Sequence, residues 1–214
     1  MKLLYIIVNS KPEEESSSRK VSRKLVNRLL EANEGCELEE LNLYDEHIPR
    51  LKYNYFKARN SVVGGEEYNK LTEEDKKEVD RINELCNQFI SADLYVIAAP
   101  MWSLSFPAPL KEYIDCIVQL DKTMSITENK VKGLLDDKVR KMVYVQSSGG
   151  AVPWLLRGKI SQGVEYVEDI MKFLGIKTFK ELLVDGTGDE RDSKIDAEYK
   201  AISKIDSLVD DLQE

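Results

Sequence analysis

Three short stretches of this 214-residue chain bring together residue types that could hold a ligand. The first is a run of hydroxyls, Ser16, Ser17 and Ser18, with Ser10 a few residues earlier. The second is AAPMWSLSFPAPLKEYID, residues 98–115, where Met101, Trp102, Leu104 and Phe106 continue an apolar run into what should be a loop. The third is SSGG, Ser147 to Gly150. Groups able to attack or to shuttle protons are sparse. A serine-nucleophile system would depend wholly on His47, the one histidine, and that dependence argues against it. Cys36, Cys86 and Cys116 match neither a zinc spacing nor a CxxC redox pair, and Cys86 and Cys116 fall in apolar helical patterns that suit packing. No metal ligands are expected.

Each stretch has a plausible chemistry. Serines just before a helix place hydroxyls and free backbone N–H groups where the helix dipole favours an anion, so a phosphate fits there. No Walker A sequence and no GxGxxG follow the first apolar strand, which argues against ATP and against a dinucleotide fold. Glu13, Glu14 and Glu15 would repel a phosphate if they pointed inward, and Arg19 and Lys20 offset that field. A flat aromatic ligand would cover Met101, Trp102, Leu104 and Phe106, while backbone groups meet its polar edge. Full burial of such side chains is worth roughly 1.5–3 kcal/mol each. Gly149 and Gly150 can take dihedral angles closed to other residues and let a ring approach the backbone. Trp154 follows as a roof for such a pocket, or as a core or dimer contact. Each stretch also has a plain structural reading: a helix cap, residues packed beneath a loop, and a tight turn.

The elements that must position these loops follow from hydrophobic periodicity. KLLYIIV reads as a buried strand and LEELNL as a second strand. DLYVIAAP, VRKMVYVQ and TFKELLV read as three more. Helical spacing appears at Val21–Leu30, at Val79–Ile90 after a capping-type Thr72 and Asp75, at Leu110–Val118 opened by Pro107, at Val164–Leu174 closed by Gly175, and in one final helix from Ile195 to Leu212. Residues 44–71, with Tyr53, Tyr55 and Phe56, form an irregular insertion longer than an ordinary connection, placed near the active site or a dimer surface. Alternating strands and helices predict a single α/β domain over 1–214 with a parallel sheet covered on both faces, in the flavodoxin-like order 2-1-3-4-5, with a Rossmann-like order as competitor. In such a sheet all three loops meet at the C-terminal strand ends.

Composition bounds the partners. The formal charge is −8, which disfavours nucleic acid and anionic membranes. The first apolar stretch is too short to span a bilayer and lacks a signal-peptide cleavage region, so a cytoplasmic location is expected.

In the order and spacing of these three stretches the chain resembles the FMN-dependent NAD(P)H:quinone oxidoreductase and azoreductase family. The carrying segments are Ser10–Ser18, Met101-Trp102-Ser103-Leu104, Ser147-Ser148-Gly149-Gly150, and FLGI at 173–176. The resemblance implies that Ser10, Ser16, Ser17 and Ser18 hold the ribityl phosphate of a tightly bound FMN. It implies that Pro100, Met101, Trp102, Ser103 and Leu104 run along the flavin ring, and that Ser147, Ser148, Gly149 and Gly150 meet its polar edge. It further implies a ping-pong reaction in which NADH or NADPH reduces the flavin and a planar quinone or azo compound is reduced in turn, in a homodimer. Ser103 stands where the family commonly has asparagine, Leu104 where it has an aromatic residue, and Ser148 where it has arginine. Ala151-Val152 replaces a segment that often carries a histidine. A flavodoxin-like electron carrier and a cofactor-free α/β binding protein are the rival readings.

Overall fold

The computed structural model describes residues 1–128, 130–150, 162–188 and 191–213. Five parallel strands form its sheet: β1 (Lys2–Ile7), β2 (Glu37–Asn42), β5 (Leu94–Pro100), β8 (Lys141–Ser148) and β9 (Thr178–Asp185). Their order is β2-β1-β5-β8-β9. The expected 2-1-3-4-5 does not match this as numbered, because four short strands precede β5 or β8 in the chain. These are the hairpin β3 (Phe56–Ala58) with β4 (Ser61–Val62), and the hairpin β6 (Met124–Thr127) with β7 (Lys130–Gly133). Their strands are two to four residues long, too short to register as alternating patterns.

Period-two alternation divides the sheet's side chains between two cores. Leu4, Ile6, Tyr95, Ile97, Met142 and Tyr144 face one side. Helices α3 (Glu73–Ser91), α4 (Ala108–Ile117) and α5 (Gln162–Leu174) cover that side, and α2 (Gly65–Asn69) is a short helix within the 44–71 segment. Leu3, Tyr5, Ile7, Val96, Val143 and Val145 face the other. Helices α1 (Ser17–Ala32), α6 (Arg191–Ile202) and α7 (Ile205–Gln213) cover it. Both faces are therefore buried, which is why the central strands read as continuous apolar runs.

The expected single terminal helix is two. The Lys204 N–H bonds the Ala201 carbonyl at 3.1 Å, an i→i−3 bond that tightens the chain between α6 and α7. Ile195 and Tyr199, placed by spacing on a packing stripe, are exposed, while Ala197 and Ala201 are buried. Alanines let α6 lie close against the sheet and α1, and a pattern scored on large side chains misses them.

The 44–71 segment is held to α3. Thr72 caps α3, its Oγ1 accepting from the Asp75 N–H at 3.1 Å. The Asp75 carboxylate accepts from the Tyr55 hydroxyl at 3.0 Å and from Asn54 at 2.9 Å. Tyr55 is fully buried, whereas Tyr53 is 97% exposed. Among the described residues, no helix is long and apolar enough to cross a membrane.

Candidate functional site

Strand β1 has β2 on one side and β5 on the other, so the chain changes direction across the sheet at the ends of β1 and β5. In an open parallel sheet the crevice at such a place collects ligands. Register brings the loops together there. Pro100 pairs with Ser147, the Val8 N–H bonds the Ala98 carbonyl at 2.8 Å, and the Met101 N–H bonds the Ser147 carbonyl at 2.7 Å. A cavity of about 180 Å³ opens at this point, lined by Asn9, Lys11, Glu15, Ser16, Ser17, Pro100, Met101, Trp102, Ser147, Gly149, Thr187 and Lys194.

At the first loop the three serines have different surroundings. Ser16 is the N-cap of α1: its Oγ accepts from the Arg19 N–H at 3.3 Å and from Asn9 Nδ2 at 2.8 Å. Ser18 is fully buried, with its Oγ 3.2 Å from that of Ser16. The Ser17 hydroxyl donates to Glu198 Oε1 at 2.7 Å. Ser10 is exposed and does not line the cavity. The loop's path is fixed from both ends: the Lys11 N–H bonds Asn9 Oδ1 at 2.9 Å and the Lys11 carbonyl accepts from Arg19 at 2.6 Å. Of the acidic run, Glu13 accepts from Arg23 at 3.1 Å, while Glu15 reaches the cavity. Arg23 also forms a two-pronged bond with Glu40, which holds the Glu40 carboxyl below its ordinary range.

The second loop is a two-residue hairpin. Trp102 and Ser105 exchange both backbone hydrogen bonds at 2.9 Å. Ser103 has φ 49° and Leu104 φ 62°, the left-handed pair of a type I′ turn. This turn holds Trp102 47% and Leu104 54% exposed. Tyr44 meets the Trp102 ring edge-on, with centroids 6.5 Å apart, and burial raises the Tyr44 hydroxyl's pKa. Behind the turn α5 comes so close that a Cβ on Gly163 would lie 2.9 Å from Ser105 Cα. Phe106 packs against Tyr166, away from Trp102.

The third loop holds Ser147 and Ser148 buried. Ser148 Oγ is 2.9 Å from both the Gly150 carbonyl and Asp185 Oδ1, so this side chain faces β9 and not the cavity. Gly149 and Gly150 do not take left-handed angles. What they contribute is room: a Cβ at either would meet nothing within 4 Å. The Ser148 carbonyl accepts from the Gly186 N–H and from Thr187, which brings the end of β9 to the rim.

Ser16, Ser17, Pro100, Met101, Trp102, Ser147 and Gly149 thus share one cavity, while Ser10, Ser18, Ser103, Leu104, Ser148 and Gly150 stand beside or behind it. Sequence reading missed Asn9, Lys11, Thr187 and Lys194. A polar Asn9 directly after an apolar strand was a usable signal for the first; Lys194 had none, since only tertiary folding brings α6 to α1. Trp154 and Ala151-Val152 lie outside the described residues. Larger hollows of about 510 and 700 Å³ flank Tyr53 and Phe56, and no residue of the three loops lines either of them. Among the described residues, no group of three or more His, Cys, Asp or Glu could hold a metal ion.

A phosphorylated, flat-ringed group fits these residues. The 180 Å³ cavity suits its phosphate end, at the N-terminus of α1. The side-chain-free space over Gly149 and the exposed Trp102 and Leu104 leave a shelf for the ring.

Comparison with known proteins agrees with this geometry. The family model described as flavodoxin-like fold matches residues 1–206. The chain is 56% identical over 211 residues to the FMN-dependent NADH:quinone oxidoreductase of Ruminiclostridium cellulolyticum, covering 99% of each. It is 48% identical to FMN-dependent NADH:quinone oxidoreductase 1 of Clostridium acetobutylicum, covering 99% of this chain and 96% of the relative. Among solved structures it resembles an FMN-dependent NADH-azoreductase from Bacillus anthracis in complex with FMN, with TM-score 0.80, 26% identity, and coverage of 97% of this chain and 99% of that one. The chain therefore belongs to the FMN-dependent NADH:quinone oxidoreductase and azoreductase family, within the flavodoxin-like fold.

Proposed function

We infer that this chain is an FMN-dependent oxidoreductase that uses NADH to reduce a quinone, an azo compound or a similar planar acceptor. The observation that carries this reading is the joining of a helix N-terminus and an exposed apolar shelf in one crevice at the ends of β1, β5 and β8. FMN when bound supplies the redox chemistry, accepting a hydride equivalent and passing two electrons on. The chain's own work is binding and orientation. Ser16, held by Asn9, aims a hydroxyl and the first amides of α1 at the phosphate. Met101 and Trp102 bound one edge of the ring's seat, and the backbone at Gly149 bounds the other. Pairing of Met101 N–H with the Ser147 carbonyl keeps those two edges at a fixed separation. With FMN held there, the exposed shelf would give reductant and acceptor access to the ring in turn, as a ping-pong sequence requires.

Assembly into a homodimer belongs to the same proposal. Leu51 and Tyr53 are exposed beside Phe56, apolar surface that a second copy would cover. With no membrane-crossing helix among the described residues and a formal charge of −8, a cytoplasmic enzyme without nucleic-acid partners is the setting proposed.

Anaerobic mixing of the FMN-loaded chain with NADH tests the activity. The expected result is stoichiometric loss of the oxidised flavin's visible absorbance, followed by recovery when a quinone is added. Bound flavin that stays oxidised with both NADH and NADPH would contradict the enzyme and favour an electron carrier.

A further inference from the structure

Helix α6 brings two charged side chains, one turn apart, to the phosphate end of the cavity. Lys194 lines the cavity, and its Nζ donates to the Glu15 carbonyl at 2.9 Å, on the residue just before the N-cap of α1. That bond anchors the ammonium without neutralising it, and leaves two of its three N–H groups for an anion. Glu198 is mostly buried, with its side chain 13% exposed. It accepts the Ser17 hydroxyl at 2.7 Å and lies 3.6 Å from Lys20 Nζ.

A serine hydroxyl has one proton. With that proton on Glu198, Ser17 offers a phosphate its backbone N–H alone. The Glu198 carboxylate also places negative charge behind the site, which Lys20 only partly offsets at this distance. Arg19, the other cation of the first turn, donates to the Lys11 carbonyl and does not line the cavity. Lys11 and Lys194 are the two cations that line the cavity, and Lys194 is the one anchored beside the N-cap of α1 with donors to spare.

We infer that Lys194 is a ligand of the flavin phosphate and that Glu198 withholds the Ser17 hydroxyl from it. Charge on α6, more than a row of serine hydroxyls, sets how strongly this chain prefers FMN to riboflavin. The inference rests on the flavin reading above and adds to it a residue and a direction of effect.

The test uses the full-length chain freed of flavin, titrated with FMN and with riboflavin, which lacks the phosphate, and followed by quenching of flavin fluorescence. Lys194→Gln is expected to weaken FMN binding by about tenfold or more, the loss typical of a charged hydrogen bond, with riboflavin binding unchanged within about twofold. Glu198→Gln, which keeps an acceptor for Ser17 but removes the charge, is expected to tighten FMN and leave riboflavin unaffected. Unaltered riboflavin binding also reports that each variant is folded. Equal loss of both flavins in Lys194→Gln, or no loss of FMN, would overturn the role of Lys194; weaker FMN binding in Glu198→Gln would overturn that of Glu198. Wild-type chain that binds neither flavin would remove the proposed function itself, and this inference with it.

Discussion

Ser16 is the residue on which the phosphate end of the site turns, because one oxygen closes the helix and receives Asn9. Ser16→Ala is expected to cost about 1–3 kcal/mol, combining a lost N-cap with a buried Asn9 amide short of an acceptor. Urea denaturation of wild type and variant measures it, and FMN should bind less tightly in the variant. An unchanged midpoint would mean that water replaces the oxygen at no cost. The three serines were legible in the sequence as a group, since hydroxyls before a helical stripe signal a cap and an anion site. Their separate jobs were not. Ser17 turns to Glu198 and Ser18 is enclosed because of residues 181 and nine positions away, a relation no local spacing encodes.

At the scale of the element, the hairpin Trp102–Ser105 explains why large apolar side chains stand in a loop. Its left-handed Ser103 and Leu104 reverse the chain in two residues and hold Trp102 and Leu104 out over the crevice. Leucine in that conformation costs roughly 1–2 kcal/mol. Asn-Gly is the pair such a turn favours, so the double variant Ser103→Asn, Leu104→Gly is expected to be about 1 kcal/mol more stable in urea while holding FMN less tightly. A less stable double variant would show that the Leu104 side chain packs more than it strains. Gly175 makes the opposite case. It ends α5 with φ 119°, and a Cβ there would sit 2.6 Å from the Asp136 N and 2.7 Å from the Leu135 carbonyl carbon. Gly175→Ala is expected to lower stability by about 2 kcal/mol or more, read from thermal or urea unfolding. The sequence marked this glycine as a helix stop. The backbone it presses on belongs to the segment after β7, which no periodicity announced. Likewise, strands buried on both faces were plain as apolar runs, whereas the break between α6 and α7 depended on alanines that carry little pattern.

For the whole molecule, two cores on either side of one sheet hold ionisable groups that the mechanism does not use. Burial pushes the Cys86 thiol up to about 11, the Cys116 thiol up to about 12 and the Tyr5 hydroxyl up to about 12, and raises Tyr95, Tyr113 and Tyr144 as well. Unfolded, these thiols and phenols ionise near pH 8.5 and 10. Between those values and the folded ones the native state binds more protons than the unfolded state. Stability is therefore full below about pH 8.5 and falls as pH rises toward 11–12, by roughly 1.4 kcal/mol per pH unit for each group inside its window. Urea midpoints taken from pH 7 to 11 should fall with increasing slope; a flat profile would mean that these groups are hydrated in the native state. The sheet itself was legible because burial on both faces writes strands as apolar runs. The meeting of its three loops was legible only through topology, since residues 16, 102 and 149 are neighbours by the placement of β5 between β1 and β8. That meeting is what a crystal structure of the chain grown with FMN would test most directly. The account predicts the phosphate against Ser16 and the first amides of α1, with the ring between Trp102 and Gly149. Flavin seated instead in the hollow beside Tyr53 and Phe56, with the crevice at β1 and β5 empty, would contradict it.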